Sequence, residues 1–297
     1  MASHGEDIGL ARDLYFHVDE PITGSVFAGF ADIELSRIRA NRSAMSNYRS
    51  YVICTSPRSG STLLCRMLAD TGVAGKPASL FYRPSLEDWL TRMKITPEET
   101  ATERDVLKAV FHAAVEKGTA GTGLFGLRQQ RPSFPFLCEK LAVLYPDEPT
   151  DRARLERAFG PTLFIHLTRQ DKIEQAISYL KAEQSGLWHA APDGTELERL
   201  SPHRNPSYDR DQIRACVETM TAYDKGWLSW FDQDGITPHR ISYTDLSADP
   251  AATLRTLMEH LGLDPAGAAD IIPSVKKLAD ETSRTWIARF RAEEELG

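Results

Sequence analysis

Residues 51–72 are the segment that most constrains the fold of this chain. The first five, Tyr-Val-Ile-Cys-Thr, form a short apolar and β-branched run of the kind that makes a buried strand. After a break at residues 56–60, leucines and a methionine recur at helical spacing, and Gly72 follows as a stop signal. The sequence therefore predicts a strand, a tight loop and a helix in direct succession.

The loop between that strand and that helix has the chemistry of an anion site. Backbone N–H groups and the positive end of a helix dipole converge at such a loop. Its side chains add one fixed positive charge and several hydroxyl donors. We therefore predict a phosphate-binding loop made by the following residues: Ser56, Pro57, Arg58, Ser59, Gly60, Ser61 and Thr62.

Two common nucleotide-binding signatures do not fit this loop. A nucleoside-triphosphatase loop needs Gly-x4-Gly-Lys-Ser/Thr, whereas Ser61 follows Gly60 here and Thr55 stands where the first glycine belongs. The dinucleotide fingerprint Gly-x-Gly-x-x-Gly is missing as well. The loop therefore argues against a Mg-nucleotide hydrolase and against a dinucleotide-binding enzyme.

Strand and helix patterns alternate along the rest of the chain. Further strand patterns lie at residues 123–128, 161–169 and 239–243. Helical patterns cover residues 85–93, 97–117, 209–231 and 250–261. Strands that alternate with helices over this length indicate an α/β fold with a mainly parallel sheet flanked by helices.

The loop segment Ser-Pro-Arg-Ser-Gly-Ser-Thr-Leu-Leu resembles the 5′-phosphosulfate loop of sulfotransferases. With the segments that follow, it is similar to the bacterial trehalose 2-sulfotransferase family over residues 51–290. The resemblance implies a P-loop NTPase-like sulfotransferase fold and a sulfuryl donor, 3′-phosphoadenosine 5′-phosphosulfate (PAPS), used without a metal. It also implies a homodimer and a carbohydrate or glycolipid acceptor, of the trehalose or lipopolysaccharide type.

Arg169 and Ser178 complete the donor site that the resemblance implies. Arg169 stands at the end of a strand pattern, and Ser178 lies in the helical pattern that follows. The segment Arg-x-Asp-Lys-x-x-Gln-Ala-x-Ser matches the family, in which such an Arg and Ser hold the 3′-phosphate of PAPS. We therefore expect both residues to bind the cofactor, and we expect Arg58 to stabilise the negative charge on the leaving oxygen.

Ser79 is the clearest departure from the family. The family reads Gly-x-Pro-x-Glu here, and its Glu is thought to act as general base on the acceptor hydroxyl, whereas this chain has Ser79. A serine of ordinary pKa does not remove a proton from a sugar hydroxyl. Either another residue supplies the base or the acceptor differs. We predict His189 as the base, and the alternatives behind it are Glu87, Asp88 and His203.

Three residues are candidates for the acceptor site. Ser79 lies in a loop just beyond the first strand-helix unit, near the mouth of the ligand crevice. Arg128 stands where the family has a Lys, and the sequence leaves open whether it touches a ligand or pairs with a carboxylate. Trp188 falls within residues 186–206, which we predict to form a long loop of the lid or binding type. Its ring face suits a sugar.

Composition restricts the partners and the compartment. The chain has 42 Asp+Glu against 35 Lys+Arg and a net charge of −7, which disfavours binding to nucleic acid. Its 4 Cys lack metal-ligand spacing and lie in apolar runs, which indicates buried free thiols and a reducing compartment. No apolar run reaches the roughly 18 residues that a membrane span needs. We expect a cytoplasmic protein with no transmembrane segment.

The domain organisation and two rival functions complete these predictions. We expect residues 1–50 to be an N-terminal accessory segment and residues 51–297 to form the sulfotransferase domain. A homologue that binds the nucleotide but has altered catalysis is consistent with Ser79. A P-loop small-molecule kinase is disfavoured, because the triplet Gly-Lys-Ser/Thr is missing.

Overall fold

A parallel β-sheet forms the centre of the structure, a computed structural model in which residues 47–275 and 278–296 are described. The described strands are β1 (Ser50–Thr55), β2 (Phe125–Gln130), β3 (Thr162–Thr168), β4 (Leu187–Ala190), β5 (Glu196–Arg199) and β6 (His239–Ser242). Strands β2, β1, β3 and β6 make the parallel sheet in that order, and β4 and β5 form a separate antiparallel hairpin. The predicted α/β class with a mainly parallel sheet is confirmed.

Helices flank this sheet. The described α-helices are α1 (Ser61–Asp70), α2 (Leu86–Met93), α3 (Glu103–Thr119), α4 (Phe134–Leu144), α5 (Asp151–Phe159), α6 (Lys172–Ser185), α7 (Arg210–Gln233), α8 (Tyr243–Ala248), α9 (Pro250–His260) and α10 (Glu281–Glu295). Short 3-10 turns precede α4 and follow α9, at Arg131–Ser133 and Pro265–Asp270. The predicted strands and helices are present, most with ends that differ by a few residues, and α4 and α5 are helices that were not predicted.

Strand β1 has both of its faces covered, which explains its continuous apolar sequence. All of its residues are buried. Val52 and Cys54 face a core made with α2 to α5 and the end of α7, whereas Tyr51 and Ile53 face a core made with α1 and α9. Burial of each large apolar side chain in such a core contributes about 1.5–3 kcal/mol.

The register of the sheet brings two predicted functional segments to the same edge. Strand β1 pairs with β3 in parallel, so that Thr55 lies opposite Leu167. Thr55 Oγ1 donates a hydrogen bond to the Leu167 carbonyl at 2.8 Å. Because both strands end at this edge, the loop after β1 and Arg169 after β3 lie side by side.

The prediction of a long loop at residues 186–206 is wrong, because its first half is the β4–β5 hairpin. Residues 191–194 form the turn, closed by a hydrogen bond from the Gly194 N–H to the Ala191 carbonyl at 2.9 Å. Pro192 at the second turn position and Gly194 at the fourth suit a type I turn. The hairpin sets His189 opposite Glu198.

Two other predictions concern the N-terminal side of the chain. Helix α3 begins at Glu103, later than the predicted start at residue 97, because Thr102 caps it by accepting a hydrogen bond from the Asp105 N–H. The accessory segment lies outside the described residues except for its last positions. Among the helices that the structure describes, none is long and apolar enough to cross a membrane.

Candidate active site

The loop after β1, residues 56–60, makes a sharp turn into α1. Gly60 has a φ of 88°, a left-handed conformation that glycine adopts without a steric penalty. A Cβ atom at this position would lie 2.6 Å from Tyr243 Cδ2, so the loop and the Tyr243 ring are in close contact. Arg58 also has a positive φ, 61°, which costs a residue with a Cβ about 1–2 kcal/mol. The surrounding packing therefore holds the loop in a turn that its sequence alone does not favour.

Helix α1 begins without a side-chain cap. Its N-cap residue is Gly60, and no side chain accepts a hydrogen bond there within the described residues. By contrast, the N-cap residues of α2, α3 and α6 are Ser85, Thr102 and Asp171, and the side chain of each accepts a hydrogen bond from a backbone N–H. The first-turn N–H groups of α1 are therefore available to an anion, which also meets the positive end of the helix dipole.

The hydroxyl groups of the loop are buried but point to different places. Ser59 Oγ shares a hydrogen bond with Thr55 Oγ1 beneath the loop. Ser56 is also fully buried, and its Oγ accepts a hydrogen bond from a side-chain amide of α6. Ser61 and Thr62 lie in the first turn of α1 and line a cavity. Of the predicted loop hydroxyls, these last two are the ones at the cavity wall.

Arg58 links the loop to α6 and to the hairpin. Its Nε donates to Ser178 Oγ at 3.0 Å, and its Nη1 donates to the Trp188 carbonyl at 2.6 Å. Burial, followed by repulsion from Arg169, lowers the pKa of the Arg58 guanidinium to about 10. The group is still charged at neutral pH, so the structure places a partly buried positive charge between the predicted donor residues.

Arg169 lies close to Arg58 and is almost completely buried. Its Nη2 donates to Glu174 Oε2 at 2.7 Å, and its guanidinium carbon lies 4.5 Å from the centroid of the Tyr243 ring. Its Nε is buried and has no hydrogen-bond partner within the described residues. A buried donor without a partner is costly, so this Nε is a group that an anion would satisfy.

Helix α6 supports the loop from below. Gln175 Nε2 donates to Ser56 Oγ at 2.9 Å and to the Pro57 carbonyl at 2.7 Å. Lys172 forms a largely buried ion pair with Asp224 of α7 and also donates to Gln175 Oε1 at 3.2 Å. These contacts join α6, α7 and the loop. They explain why the matched segment has a Lys at position 172 and a Gln at position 175.

A chain of hydrogen bonds joins the predicted acceptor residues to the loop. Arg128 Nε donates to Ser79 Oγ at 2.8 Å, and Arg128 Nη1 donates to Thr62 Oγ1 at 2.9 Å. Thr62 Oγ1 in turn lies 3.1 Å from His189 Nε2. Arg128 is buried and also lines the cavity. In the structure it bonds two hydroxyl groups at the point where the loop meets the hairpin.

The remaining predicted residues occupy different positions. Trp188 is 5 % exposed, and its ring packs edge-to-face on Tyr179, so little of the ring is open to a sugar. Of the alternative bases, His203 lines the cavity, whereas Glu87 and Asp88 are not part of its wall. Because His189 contacts Thr62 of the phosphate-binding loop, the structure favours His189 as the base over His203, Glu87 and Asp88.

Most of the predicted site residues line one cavity of about 1520 Å³, whereas Ser56, Ser59 and Ser79 are not part of its wall. Its wall includes the predicted donor residues Arg58, Arg169 and Ser178, together with Arg128 and His189. Residues from α7 and from the segment before α10 complete the wall. The cavity thus opens onto both halves of the predicted site.

Comparison with known proteins identifies the family. The chain matches the family described as Stf0 sulphotransferase over residues 50–293. It belongs to the Stf0 sulphotransferase family. The chain is therefore an enzyme, a sulfotransferase, and both of these predictions are confirmed.

Two curated relatives of this Stf0 family member are trehalose 2-sulfotransferases. The protein from Mycobacterium tuberculosis is 28 % identical over 265 residues, which cover 82 % of this chain and 95 % of the relative. The protein from Mycolicibacterium smegmatis is 27 % identical over 265 residues, with coverage of 82 % and 94 %. A crystal structure of a sulfotransferase from Alicyclobacillus acidocaldarius matches at 13 % identity and a TM-score of 0.37, covering 84 % of this chain and 93 % of that one.

Glu198 is a residue of this Stf0 family member that the sequence reasoning missed. Its Oε2 lies 3.4 Å from His189 Nε2, and its side chain is only 10 % exposed. Burial raises the pKa of Glu198 to about 7. Burial, followed by the charges of Arg58 and Arg128, lowers the pKa of His189 to about 2. The turn sequence at residues 191–194 could have predicted a hairpin, in which these two residues lie on facing strands.

The cysteines and the metal-ligating side chains were also the subject of predictions. Cys54, Cys65, Cys138 and Cys216 are free and buried. Within residues 47–275 and 278–296, no group of three or more His, Cys, Asp or Glu is placed to hold a metal ion. The absence of a metal from the reaction stays a prediction.

Proposed function

We propose that this Stf0 family member transfers a sulfuryl group from PAPS to a hydroxyl group of a carbohydrate or a glycolipid, of the trehalose or lipopolysaccharide type. The observation that carries the proposal is the junction of the two predicted phosphate sites. Arg58 of the loop donates to Ser178 of α6 at 3.0 Å, and Arg169 lies beside both at the same cavity. One ligand with an anionic group at each end suits this arrangement.

The residues present fit such a donor. The first turn of α1 has no side-chain cap, so its N–H groups suit the 5′ end. Arg169 Nε is buried without a partner, which suits the 3′-phosphate. Gly60 lies so close to Tyr243 that a Cβ would collide with the ring. Glycine at this position lets the loop pack against the Tyr243 ring in its left-handed turn.

The roles of the chain's residues follow from their positions. When bound, PAPS supplies the sulfuryl group and a bisphosphate leaving group. Arg58 provides a fixed positive charge for the leaving oxygen, together with the first-turn N–H groups and the Thr62 hydroxyl. One preorganised donor of this kind typically lowers the barrier by roughly 3–4 kcal/mol. Arg169 and Ser178 orient the nucleotide end, and His189 accepts the proton of the acceptor hydroxyl.

A carbohydrate acceptor is supported by the relatives. Both curated relatives carry the name trehalose 2-sulfotransferase and align with 82 % of this chain. Ser79 stands where the resembled family has a glutamate, and its side chain is buried against Arg128, so the position that faces trehalose in that family is changed here. We therefore propose the acceptor by class, as a sugar hydroxyl on a free carbohydrate or a glycolipid.

A homodimer and a cytoplasmic location are further parts of the proposal. Family resemblance supports the homodimer, and the mass in solution tests it. The four buried free thiols suit a reducing compartment. The division of the chain into an accessory segment, residues 1–50, and a sulfotransferase domain, residues 51–297, is also part of the proposal.

Calorimetric titration with 3′-phosphoadenosine 5′-phosphate (PAP), without metal, tests the donor site. We expect the wild type to bind, and we expect Arg169→Ala to bind about 10- to 100-fold more weakly, because a charged hydrogen bond contributes about 1.5–3 kcal/mol. Arg157→Ala is the matched control, since Arg157 is an exposed residue of α5 outside the cavity wall. Absence of binding to the wild type would refute the proposed donor.

The same titration separates the rival functions. Metal-dependent binding of ATP in place of PAP would favour the P-loop small-molecule kinase. Tight binding of PAP without sulfuryl transfer to trehalose, other sugars or glycolipids would favour a homologue with altered catalysis. Transfer of label from sulfur-labelled PAPS to any of these hydroxyl acceptors would exclude that rival.

A further inference from the structure

Position 79 has a structural task that leaves it no part in proton transfer. Ser79 is 6 % exposed, and its Oγ accepts a hydrogen bond from Arg128 Nε at 2.8 Å. Ser79, which stands where the family has a glutamate, is therefore not part of the cavity wall. A proton acceptor for this chain has to come from another element.

The carboxylates of the cavity wall are poorly placed for this task. Glu174 pairs with Arg169 at 2.7 Å. Asp280 caps α10 and pairs with a lysine of α6. The side chain of Asp211 is 91 % exposed. Glu183 has a pKa raised by burial, but it makes no hydrogen bond or ion pair with residues 56–62 in the described part of the chain.

The hairpin places a different pair beside the loop. His189 of β4 lies opposite Glu198 of β5, with 3.4 Å between His189 Nε2 and Glu198 Oε2. The same His189 Nε2 lies 3.1 Å from Thr62 Oγ1 in the first turn of α1. Both side chains are largely buried. The 3.4 Å between His189 Nε2 and Glu198 Oε2 is longer than an ideal hydrogen bond. Catalytic hydrogen bonds commonly shorten when the substrate complex forms.

The chemistry of these neighbours determines where the imidazole proton lies. An ionised carboxylate only accepts hydrogen bonds. Thr62 Oγ1 already accepts one hydrogen bond from Arg128, and it has a second lone pair to offer. If His189 Nε2 carried no proton, its lone pair would face the Glu198 carboxylate and be repelled by it. If Nε2 carries the proton, the N–H is attracted to the carboxylate. Nδ1 is then the basic nitrogen, and it has no hydrogen-bond partner among the described residues.

The surrounding charges affect both members of the pair. Burial raises the pKa of Glu198, and three guanidinium groups oppose that rise, those of Arg128, Arg58 and Arg66. They come from β2, the loop and α1, and together with burial they keep His189 neutral. Oε1 of Glu198 is buried and has no partner within the described residues. The Glu198 carboxylate is therefore largely buried beside His189.

We propose that Glu198 is a positioning residue which accepts the Nε2–H of His189 and leaves Nδ1 to take the proton of the acceptor hydroxyl. The inference rests on the proposed function and supplies the residue pair that stands in for the missing glutamate. As the hydroxyl oxygen forms its bond to sulfur, its proton moves to Nδ1 of His189. The bond between sulfur and the bridging oxygen breaks, and the bisphosphate leaves with the electron pair. The ionised Glu198 carboxylate, 3.4 Å away, stabilises the imidazolium that results and so offsets the burial and the arginine charges that lower the pKa of His189 before substrate binds.

Nitrogen-15 NMR of the histidine side chains tests the pair without any substrate. We expect His189 to be neutral with the proton on Nε2 at pH 8, and we expect its signals to move as Glu198 titrates near pH 7. In Glu198→Gln that transition should vanish, whereas Glu196→Gln should retain it, since Glu196 is an exposed residue of the same strand that pairs with Arg199. His189→Gln assigns the signals. A proton on Nδ1, or a transition that survives Glu198→Gln, would overturn the proposal.

The pH dependence of transfer provides the second measurement, on the full chain with labelled PAPS and trehalose. In the wild type, kcat/KM should fall below about pH 7, where Glu198 becomes protonated, and should level off about 10- to 100-fold lower, because protonation removes the same charge as Glu198→Gln. Glu198→Gln should lower kcat/KM at pH 8 by about 10- to 100-fold, less than the 10²–10⁴ expected for loss of a general base, and should flatten the acid limb. An acid limb lost in Glu183→Gln and kept in Glu198→Gln would assign the base to α6 instead.

Failure of this inference differs from failure of the proposed function. If the wild type does not bind PAP, the donor assignment fails, and the NMR result still decides the His189–Glu198 pair. If the wild type binds PAP and Glu198→Gln keeps the rate and pH profile of the wild type, the donor assignment stands and Glu198 has no positioning role. Equal PAP affinity in wild type and Glu198→Gln shows that the variant keeps its folded site.

Discussion

Replacing Glu198 with Gln also tests the electrostatics of the hairpin through stability alone. Burial raises the pKa of Glu198 from 4.5 to about 7. A carboxyl group whose pKa is raised by folding stabilises the folded state fully below the unfolded-state pKa, and this contribution is lost as the pH rises through the folded-state pKa. The wild type should therefore lose stability between pH 4.5 and about 7 on account of this one group.

The size of the effect follows from the two pKa values. One pKa unit corresponds to about 1.4 kcal/mol, so the interval from 4.5 to about 7 is worth about 3 kcal/mol once Glu198 is ionised. The amide introduced by Glu198→Gln carries no charge, and its own cost is the same at every pH. The stability of the variant relative to the wild type should therefore increase by about 2–3 kcal/mol from pH 5 to pH 8, or roughly 5–10 °C in Tm.

Thermal unfolding followed by circular dichroism at several pH values between 5 and 8 measures this difference. Glu196→Gln is the control on the same strand, because a hydrogen bond from Arg199 lowers the pKa of Glu196 and its loss brings no gain at high pH. A difference between Glu198→Gln and wild type that stays constant from pH 5 to pH 8 would refute the reasoning. It would mean that the carboxyl titrates as an ordinary surface group.

Two further predictions concern the loop. Arg58→Ala should lower turnover with PAPS by about a hundredfold or more, because a preorganised cation at the leaving oxygen is lost; a rate within a few-fold of wild type, measured as PAP release, would contradict its role. Gly60→Ala should lower the free energy of unfolding by more than Gly121→Ala. The two glycines have similar φ values, 88° and 79°, but only a Cβ at Gly60 would meet Tyr243. The left-handed backbone costs each variant about 1–2 kcal/mol, so equal losses would mean that the Tyr243 ring moves aside.

The strand-loop-helix unit could be predicted from the sequence because its information is local. The apolar run of β1, the break at residues 56–60 and the spacing of α1 are all read within one segment. The long-range pairing of β1 with β3 then follows from the parallel order of the sheet. The resemblance to sulfotransferases assigned Arg58 and Arg169 to one site, and this pairing gives the assignment a physical reason.

Glu198 could not be assigned in the same way, because its chemistry depends on burial that no local pattern shows. The strand Glu-Leu-Glu-Arg looks like a solvated surface segment, and its neighbour Glu196 is indeed exposed. Only the pairing with β4 and the approach of the arginines make Glu198 unusual. The turn at residues 191–194 was recognisable, but it indicates a hairpin and says nothing about which residue of β5 is buried.

The structural reasons for the matched segment after β3 were equally hidden from the sequence. Asp171 caps α6, Lys172 pairs with Asp224, and Gln175 bonds the loop backbone. Asp224 lies far away in the chain, so its partnership with Lys172 is visible only after folding. The resemblance identified these positions, and the structure gives each one a physical task.

The separation of the hairpin from the central sheet affects how such an enzyme can diverge. The phosphate-binding loop and Arg169 directly follow strands of the parallel sheet. A residue inserted in one of these strands would shift its pairing register and move its side chains out of the core. His189 and Glu198 lie instead on a two-stranded hairpin that ends in a turn at residues 191–194 with an open position at Gly194. Changes in the length of that turn leave the sheet intact. The turn can therefore vary while the two strands keep the contacts of Trp188 and His189 with the phosphate-binding loop.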